Sequence, residues 1–311
     1  NPDTGALSLA SSVTIPDMNG FPCAVAADPL GRFAYVPTDG LTSVDPVYIY
    51  RIDQSSGELI SGTPVSADAE DGAVSLVVES SGRFAYVANF HSSSIGVYSI
   101  NQSTGALSPG GAVATGSTPW TITIDPSGRF VYVASWGATY ISTYAVDPAD
   151  GSLAPAAAVD VGHGAWSVAV DPSGRFAYAT GSADVISVYT VNQSNGSLSP
   201  GAEVAAWNNP YSIAVDPSGR FVYTAGSSGN VCMYTIDQAT GGLEEGSADD
   251  TNSASYSLTV DVSGRFVYAV NTYSEDISVF TVDQATGCLT PGAAAEAGGN
   301  PRSIITIGTI E

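Results

Sequence analysis

No lysine occurs anywhere in this sequence, and its positive charge rests on eight arginines set against 30 acidic residues, a formal net charge of −22 at pH 7. With no basic patch to neutralise phosphate, nucleic acid and anionic membrane are excluded as partners. A highly anionic substrate such as a sugar phosphate is disfavoured as well, unless Arg302 or a metal compensates locally. Charged residues make up only 12%, thinner than a halophile's acid load, so the composition fits an extracellular or cell-surface protein. The three cysteines, Cys23, Cys232 and Cys288, show no CxxC spacing and read as inert buried thiols. No apolar run approaches the ~20 residues of a membrane span. No signal peptide is recognisable, so the chain reads as mature, trimmed or cytosolic. A 3.6-residue periodicity is missing, which excludes a helical repeat. Missing too are a Ser-His-Asp order, a P-loop, haem or zinc spacing, and the Trp-Asp and Gly-His signatures of WD40 blades. No cofactor or metal is therefore expected.

What the sequence has is one sentence written six times. The tripeptide Gly-Arg-Phe starts at Gly31, Gly82, Gly128, Gly174, Gly219 and Gly264, and holds six of the eight arginines. A period in the mid-forties with four short strands per unit is the signature of a propeller blade. The stretch Trp166–Gly201 shows the plan. A short apolar strand A is followed by the turn Asp-Pro-Ser-Gly, in which Pro presets φ, Asp bonds the following amides and Gly accepts positive φ. Strand B alternates aromatic with small residues, strand C is β-branched and aromatic, and a second turn leads to an Ala/Gly-rich strand D suited to an exposed edge. The full repeats are expected at about 22–72, 73–118, 119–164, 165–209, 210–254 and 255–299. The first carries extra residues near Asp39–Pro46, in its B–C loop. Three Asn-x-Ser sequons, at Asn101, Asn192 and Asn195, fall in exposed second turns.

Strand counting leaves a remainder. The chain opens with a turn and a D strand, Asn1–Leu7, and closes with an A strand, Pro301–Ile307. The fold expected is therefore an all-β propeller of four-stranded antiparallel blades forming one domain over 1–311. It would have seven blade positions: six complete blades and a closing blade, from 1–21 and 300–311, that lacks its B and C strands. Inner and outer strands would be separated by about 14 Å, at ~4.8 Å per strand, too far to bond. The absent pair points to self-association or strand donation by another chain.

The segments Tyr86-Val87-Ala88-Asn89 and Tyr132-Val133-Ala134-Ser135, with the Asp-Pro-Ser-Gly-Arg-Phe turns, carry a resemblance. Throughout its length the chain resembles the YVTN-type, lactonase-like seven-bladed propellers. That group includes 6-phosphogluconolactonase-like enzymes, archaeal and bacterial surface-layer proteins and secreted proteins of unknown role. The resemblance implies that an N-terminal segment supplies B, C and D strands to the closing blade; this sequence supplies only D.

Strands A should line the central channel. Their first positions are Cys23, Val74, Trp120, Trp166, Tyr211, Tyr256 and Arg302. With Phe90, Trp136, Tyr140 and Trp207 from nearby loops, they suggest an aromatic-rimmed mouth for a small molecule or glycan. Trp120, Trp166, Tyr211, Tyr256, Trp136 and Trp207 are its candidates. A lactonase needs a general base and an oxyanion partner. His163 is the candidate base, His91 the other histidine, and Arg302 the oxyanion partner, although no motif ties them together. The recurring Asp28, Glu79, Asp125, Asp171, Asp216 and Asp261 read as turn caps rather than a cation site. The expectation drawn from the unpaired terminal strands and the lack of a catalytic constellation is a non-enzymatic secreted or surface module, self-assembling through its incomplete blade. A lactone hydrolase resembling 6-phosphogluconolactonase is the alternative, and a glycan-binding module a weaker one.

Overall fold

The computed structural model describes residues 1, 3–15, 20–40, 45–61, 68–69, 71–207, 209–251 and 253–307. Backbone contacts group the chain into two units, Leu9–Gly162 and Asn1–Ser8 with His163–Glu311. Each unit carries three antiparallel sheets, the blades.

In the Leu9–Gly162 unit, blade 1 is built on Phe33–Gly40 and Asp45–Ile52. The short pieces Gly20–Pro22 and Ala26–Ala27 lie on one side, and Leu59–Ser61 and Asp68–Ala69 on the other. Blade 2 runs Ala73–Val78, Phe84–Asn89, Ser94–Ile100, Leu107–Ala114, and blade 3 Pro119–Ile124, Phe130–Ser135, Tyr140–Val146, Leu153–Asp160. In the other unit, blade 4 runs Ala165–Val170, Phe176–Gly181, Val185–Val191, Leu198–Ala205. Blade 5 runs Pro210–Val215, Phe221–Gly226, Asn230–Ile236, Leu243–Asp250. Blade 6 has Ser255–Val260, Phe266–Asn271, Asp276–Val282 and a fourth strand broken into Leu289–Pro291 and Ala295–Glu296.

Burial follows the sequence pattern. The second strands of blades 2 to 6 are buried at every position, as their Phe-x-Tyr text requires. The fourth strands of blades 2 to 6 start on a buried Leu and are otherwise largely exposed, as in Leu153–Asp160. No helix among the described residues is long and apolar enough to cross a membrane.

Two turns hold each blade. In blade 5 the Asp216 carboxylate accepts from the amides of Arg220 at 2.8 Å, Phe221 at 2.7 Å and Ser218 at 3.0 Å. Gly219, with φ +69°, closes the turn onto Asp216 O at 2.9 Å. Asp28, Glu79, Asp125, Asp171 and Asp261 cap their turns in the same way. Each arginine guanidinium lies over its neighbouring Phe ring, 4.9 to 5.4 Å from the centroid. In blades 2 to 5 its Nε donates to the turn serine, for example Arg129 to Ser127 at 2.9 Å. Blade 1 has Leu30 where the serine would be, and Arg32 Nε turns to Asp28 itself at 2.9 Å.

Within each unit, one recurring contact fastens each blade to the next. The Phe ring of the second strand packs on the glycine of the following blade's second turn, and the Tyr two residues on donates its hydroxyl to that glycine's carbonyl. Tyr35 reaches Gly105 at 3.1 Å, Tyr86 Gly151 at 3.0 Å, Tyr178 Gly241 at 3.1 Å and Tyr223 Gly287 at 3.0 Å. Phe33, Phe84, Phe176 and Phe221 occupy the space a Cβ on those glycines would need.

The terminal segments depart from the expected strands. Neither Asn1–Leu7 nor Pro301–Ile307 is assigned to a strand, and neither joins a ladder. Among the described residues six blades are observed, and the terminal segments do not form a seventh sheet. They are nonetheless placed as blade elements against blade 6. Tyr268 donates to Gly5 O at 3.1 Å, and Phe266 packs on Gly5. Ile304 N donates to Ser257 Oγ at 3.4 Å, as Leu258 N does to Ser212 Oγ at 3.2 Å between blades 5 and 6. The corresponding glycine of blade 1, Gly57, has nothing within 4 Å of a Cβ position.

Gly241→Ala is expected to destabilise by about 3 kcal/mol or more, because left-handed strain adds to displacement of Phe176. Gly57→Ala should cost only the strain, about 1 kcal/mol. Urea unfolding of both variants checks the difference. Acid should also destabilise the fold. Burial pushes the Glu79 carboxyl up, but bonds from Ser81 and the Arg83 and Phe84 amides outweigh it and hold it low. Asp53 is held down to about 2 by Ser55 and the Ser56 amide. A depressed folded-state value means stability that is complete above the ordinary carboxylate range and lost as pH falls through the folded values. The urea midpoint should thus be flat above about pH 5 and drop between about pH 4 and 2.

Candidate functional site

The first strand of each of blades 2 to 6 contains one residue too many. Its register against the second strand slips between Ala73 and Ser75, Pro119 and Thr121, Ala165 and Ser167, Pro210 and Ser212, and Ser255 and Ser257. The bulged residues are Val74, Trp120, Trp166, Tyr211 and Tyr256. A bulge frees a residue from the ladder and re-aims its side chain, a frequent device beside binding sites. The sequence position of these residues was readable; the bulge that displays them was not.

In the Leu9–Gly162 unit, Trp120 joins a cluster centred on Phe90. The Phe90 centroid lies 5.8 Å from Trp120, edge to face, and 6.4 Å from Trp136, stacked at 20°. His91 stands edge-on to Phe90 at 5.1 Å. Its Nε2 is 3.4 Å from the carboxylate Oδ1 of Asp39. The loop that holds His91 is tied to the strand before it: Phe90 N donates to Gly72 O at 2.6 Å, and a Cβ on Gly72 would stand 2.7 Å from His91 Cδ2. Trp120 and Trp136 stay 38% and 51% exposed, so their rings remain available to a ligand. The contact has ion-pair distance without hydrogen-bond geometry, since Asp39 Oδ1 is buried with no hydrogen-bond partner, and it sets a carboxylate charge beside an imidazole, a pairing that favours the ring as a proton acceptor. Asp39 was missed in the sequence; its signal was the insertion of blade 1, which begins at that residue.

In the other unit the rings form a row. Trp166 and Tyr211 are 4.6 Å apart, and Tyr211 and Tyr256 4.8 Å at 23°. Tyr273, 72% exposed, meets Tyr256 edge to face at 6.3 Å, and the two hydroxyls are 3.4 Å apart. That hydrogen bond, then burial, pushes the Tyr256 phenol up to about 12, while the nearby Arg302 charge pulls the other way. Tyr256 therefore keeps its proton throughout the neutral range. Trp207 is 58% exposed and has no ring partner among the described residues.

His163 is placed differently from His91. Its Nδ1 is 3.2 Å from Gly164 O, its Nε2 is buried without a hydrogen-bond partner, and its ring packs on Gly181. Arg302 is exposed at the Tyr256 end of the row, and no hydrogen bond or ion pair joins it to His163 among the described residues. No group of three or more His, Cys, Asp or Glu that could hold a metal ion occurs among them either.

Comparison with known proteins defines the class. The chain matches the family described as lactonase, 7-bladed beta-propeller, over residues 28–168 and 159–257, and it belongs to that family. Among solved structures it is similar to a provisional 6-phosphogluconolactonase of Bacteroides fragilis, with 20% identity, 91% of this chain and 86% of that one covered, and a TM-score of 0.81. A provisional 6-phosphogluconolactonase of Bacteroides uniformis gives 18%, 94%, 88% and 0.82. The periplasmic gluconolactonase of Pseudomonas aeruginosa gives 21%, 90%, 86% and 0.77. These identities carry the fold alone. No curated protein matches the chain in sequence. The expected non-enzymatic surface module, self-assembling through an incomplete blade, is corrected by this result. The family is one of lactonases, and structures named for lactone hydrolysis share the fold.

Proposed function

We propose that the protein is a lactone hydrolase acting on a neutral sugar lactone, with His91 as general base. The observation that carries this reading is the His91–Asp39 pair set beside the exposed rings of Trp120 and Trp136 in a lactonase-family chain. Asp39 supplies a negative charge beside the imidazole that stabilises the imidazolium as it forms, and the ring nitrogen turned away from Asp39 takes a proton from water as the water oxygen attacks the lactone carbonyl. The tetrahedral adduct then expels the ring oxygen, the C–O bond breaks, and the imidazolium returns the proton to the departing alkoxide. Lactone and water give one hydroxy acid. The flat apolar face of a lactone ring suits the Trp surfaces.

A neutral substrate is favoured by charge. The cluster contains no arginine, six of the eight arginines lie over their own Phe rings, and the net charge is −22. A phosphate monoester would meet repulsion with no compensating cation. The same reading takes the chain as a single propeller domain in which Gly5 and Ile304 hold a seventh blade position beside blade 6. Support comes from their blade-like contacts with Tyr268 and Ser257.

His91→Ala should lower the hydrolysis rate of glucono-δ-lactone by about 10²- to 10⁴-fold, measured by pH-stat. His163→Ala should leave that rate within about threefold, since a packed loop histidine takes no proton from substrate water. Normal turnover by the His91 variant would refute the assignment. The wild-type kcat/KM should be higher for glucono-δ-lactone than for its 6-phosphate; the reverse order would overturn the neutral-substrate reading.

A further inference from the structure

The row in the His163–Glu311 unit is built in a way that selects for charge. Tyr211 stacks with Tyr256 at 23° and meets Trp166 at a tilt of 49°, so its ring is engaged by two neighbours and is half-buried. Aromatic edges carry the positive end of the ring quadrupole. Tyr256 and Tyr273 add two phenol hydroxyls, 3.4 Å apart; one donates to the other, and the second keeps its proton for an outward partner. Tyr273 also leaves most of its ring open.

Arg302 is brought to this end of the row by backbone anchors on both sides of it. Thr272 Oγ1 donates to Pro301 O at 2.7 Å, which sets Arg302 beside the residue next to Tyr273. Ile304 N reaches Ser257 Oγ, the residue next to Tyr256. The Arg302 side chain is exposed and has no carboxylate partner among the described residues. In so acidic a chain, an unpaired guanidinium beside two phenols and ring edges is a local inversion of the charge pattern.

We propose that Arg302, Tyr256 and Tyr273 form a second binding site, one for the carboxylate end of a sugar acid. The guanidinium and the one phenol proton of the Tyr256–Tyr273 pair that is not used between the two hydroxyls hold the carboxylate, and the open face of Tyr273 takes the C–H face of the sugar ring. The proposal goes beyond the hydrolase reading and does not rest on it.

Calorimetric titration of the full chain with glucuronate, with glucose and acetate as controls, tests it. Saturable binding of glucuronate is expected, with both controls at least about tenfold weaker, because each lacks one half of the recognition. Arg302→Gln should weaken glucuronate by at least about tenfold, and Tyr273→Ala by several-fold. His91→Ala should leave it unchanged. Equal affinity in the Arg302 variant, equal binding of glucose or acetate, absence of saturable heat, or loss of binding in the His91 variant would each overturn the site. Because this readout needs no turnover, its failure is separable from failure of the hydrolase assignment.

Discussion

The contact on which everything else depends is a phenylalanine ring laid on a bare glycine of the next repeat. Burying such a ring is worth about 1.5–3 kcal/mol, and the neighbouring Tyr hydroxyl adds about 1 kcal/mol through its bond to the same glycine. Neither works without the other repeat, so a blade is not a self-sufficient unit. The glycine must be glycine twice over. Its φ is positive, and a Cβ would stand inside the ring, as Phe176 and Gly241 show. This is why Gly-Arg-Phe-x-Tyr and the Thr-Gly turn recur together. They are the two halves of one joint: the Tyr and the glycine it bonds lie 63 to 70 residues apart and belong to successive blades.

With that joint carried by the turns and second strands, the first strands are relieved of packing duty at one position each. The bulge uses that freedom. Where the bulged residue is Val74 it packs with its neighbours; where it is Trp120, Trp166, Tyr211 or Tyr256 it supplies a ring to a cluster. The scaffold can thus vary its recognition surface at a single aligned position without disturbing the ladder. The loops between second and third strands add the chemistry: Asp39 ends the second strand of blade 1, His91 follows that of blade 2, and Tyr273 follows that of blade 6.

What could be read in the sequence divides along the same line. Blades, turns and capping carboxylates repeat, so comparison of the chain with itself exposed them, down to the strand that begins at each Phe. Asp39 and Tyr273 have no counterparts in other repeats, and self-comparison is blind to what occurs once. The two histidines differ in the same way: Trp166 lies three residues from His163 in the sequence, whereas Asp39, the carboxylate that faces His91, lies more than fifty residues from it. The terminal segments were expected as strands, and among the described residues neither Asn1–Leu7 nor Pro301–Ile307 is one, although both make blade-like contacts with blade 6.

The missing lysine follows from the joint as well. At six positions the cation must lie flat over a Phe ring, and in several blades it also reaches a serine hydroxyl and a carbonyl of the next blade. Arg175 does all three, with Ser173 at 3.1 Å and Gln238 O at 3.1 Å. A planar guanidinium can stack and donate in several directions at once; an ammonium cannot. Positive charge in this protein is therefore a structural material, consumed where it is made. The surface left over is acidic, which under the proposed activity suits a neutral lactone and disfavours return of its anionic product. On that surface an unpaired arginine has an influence out of proportion to its single charge, since few other cations compete for a carboxylate.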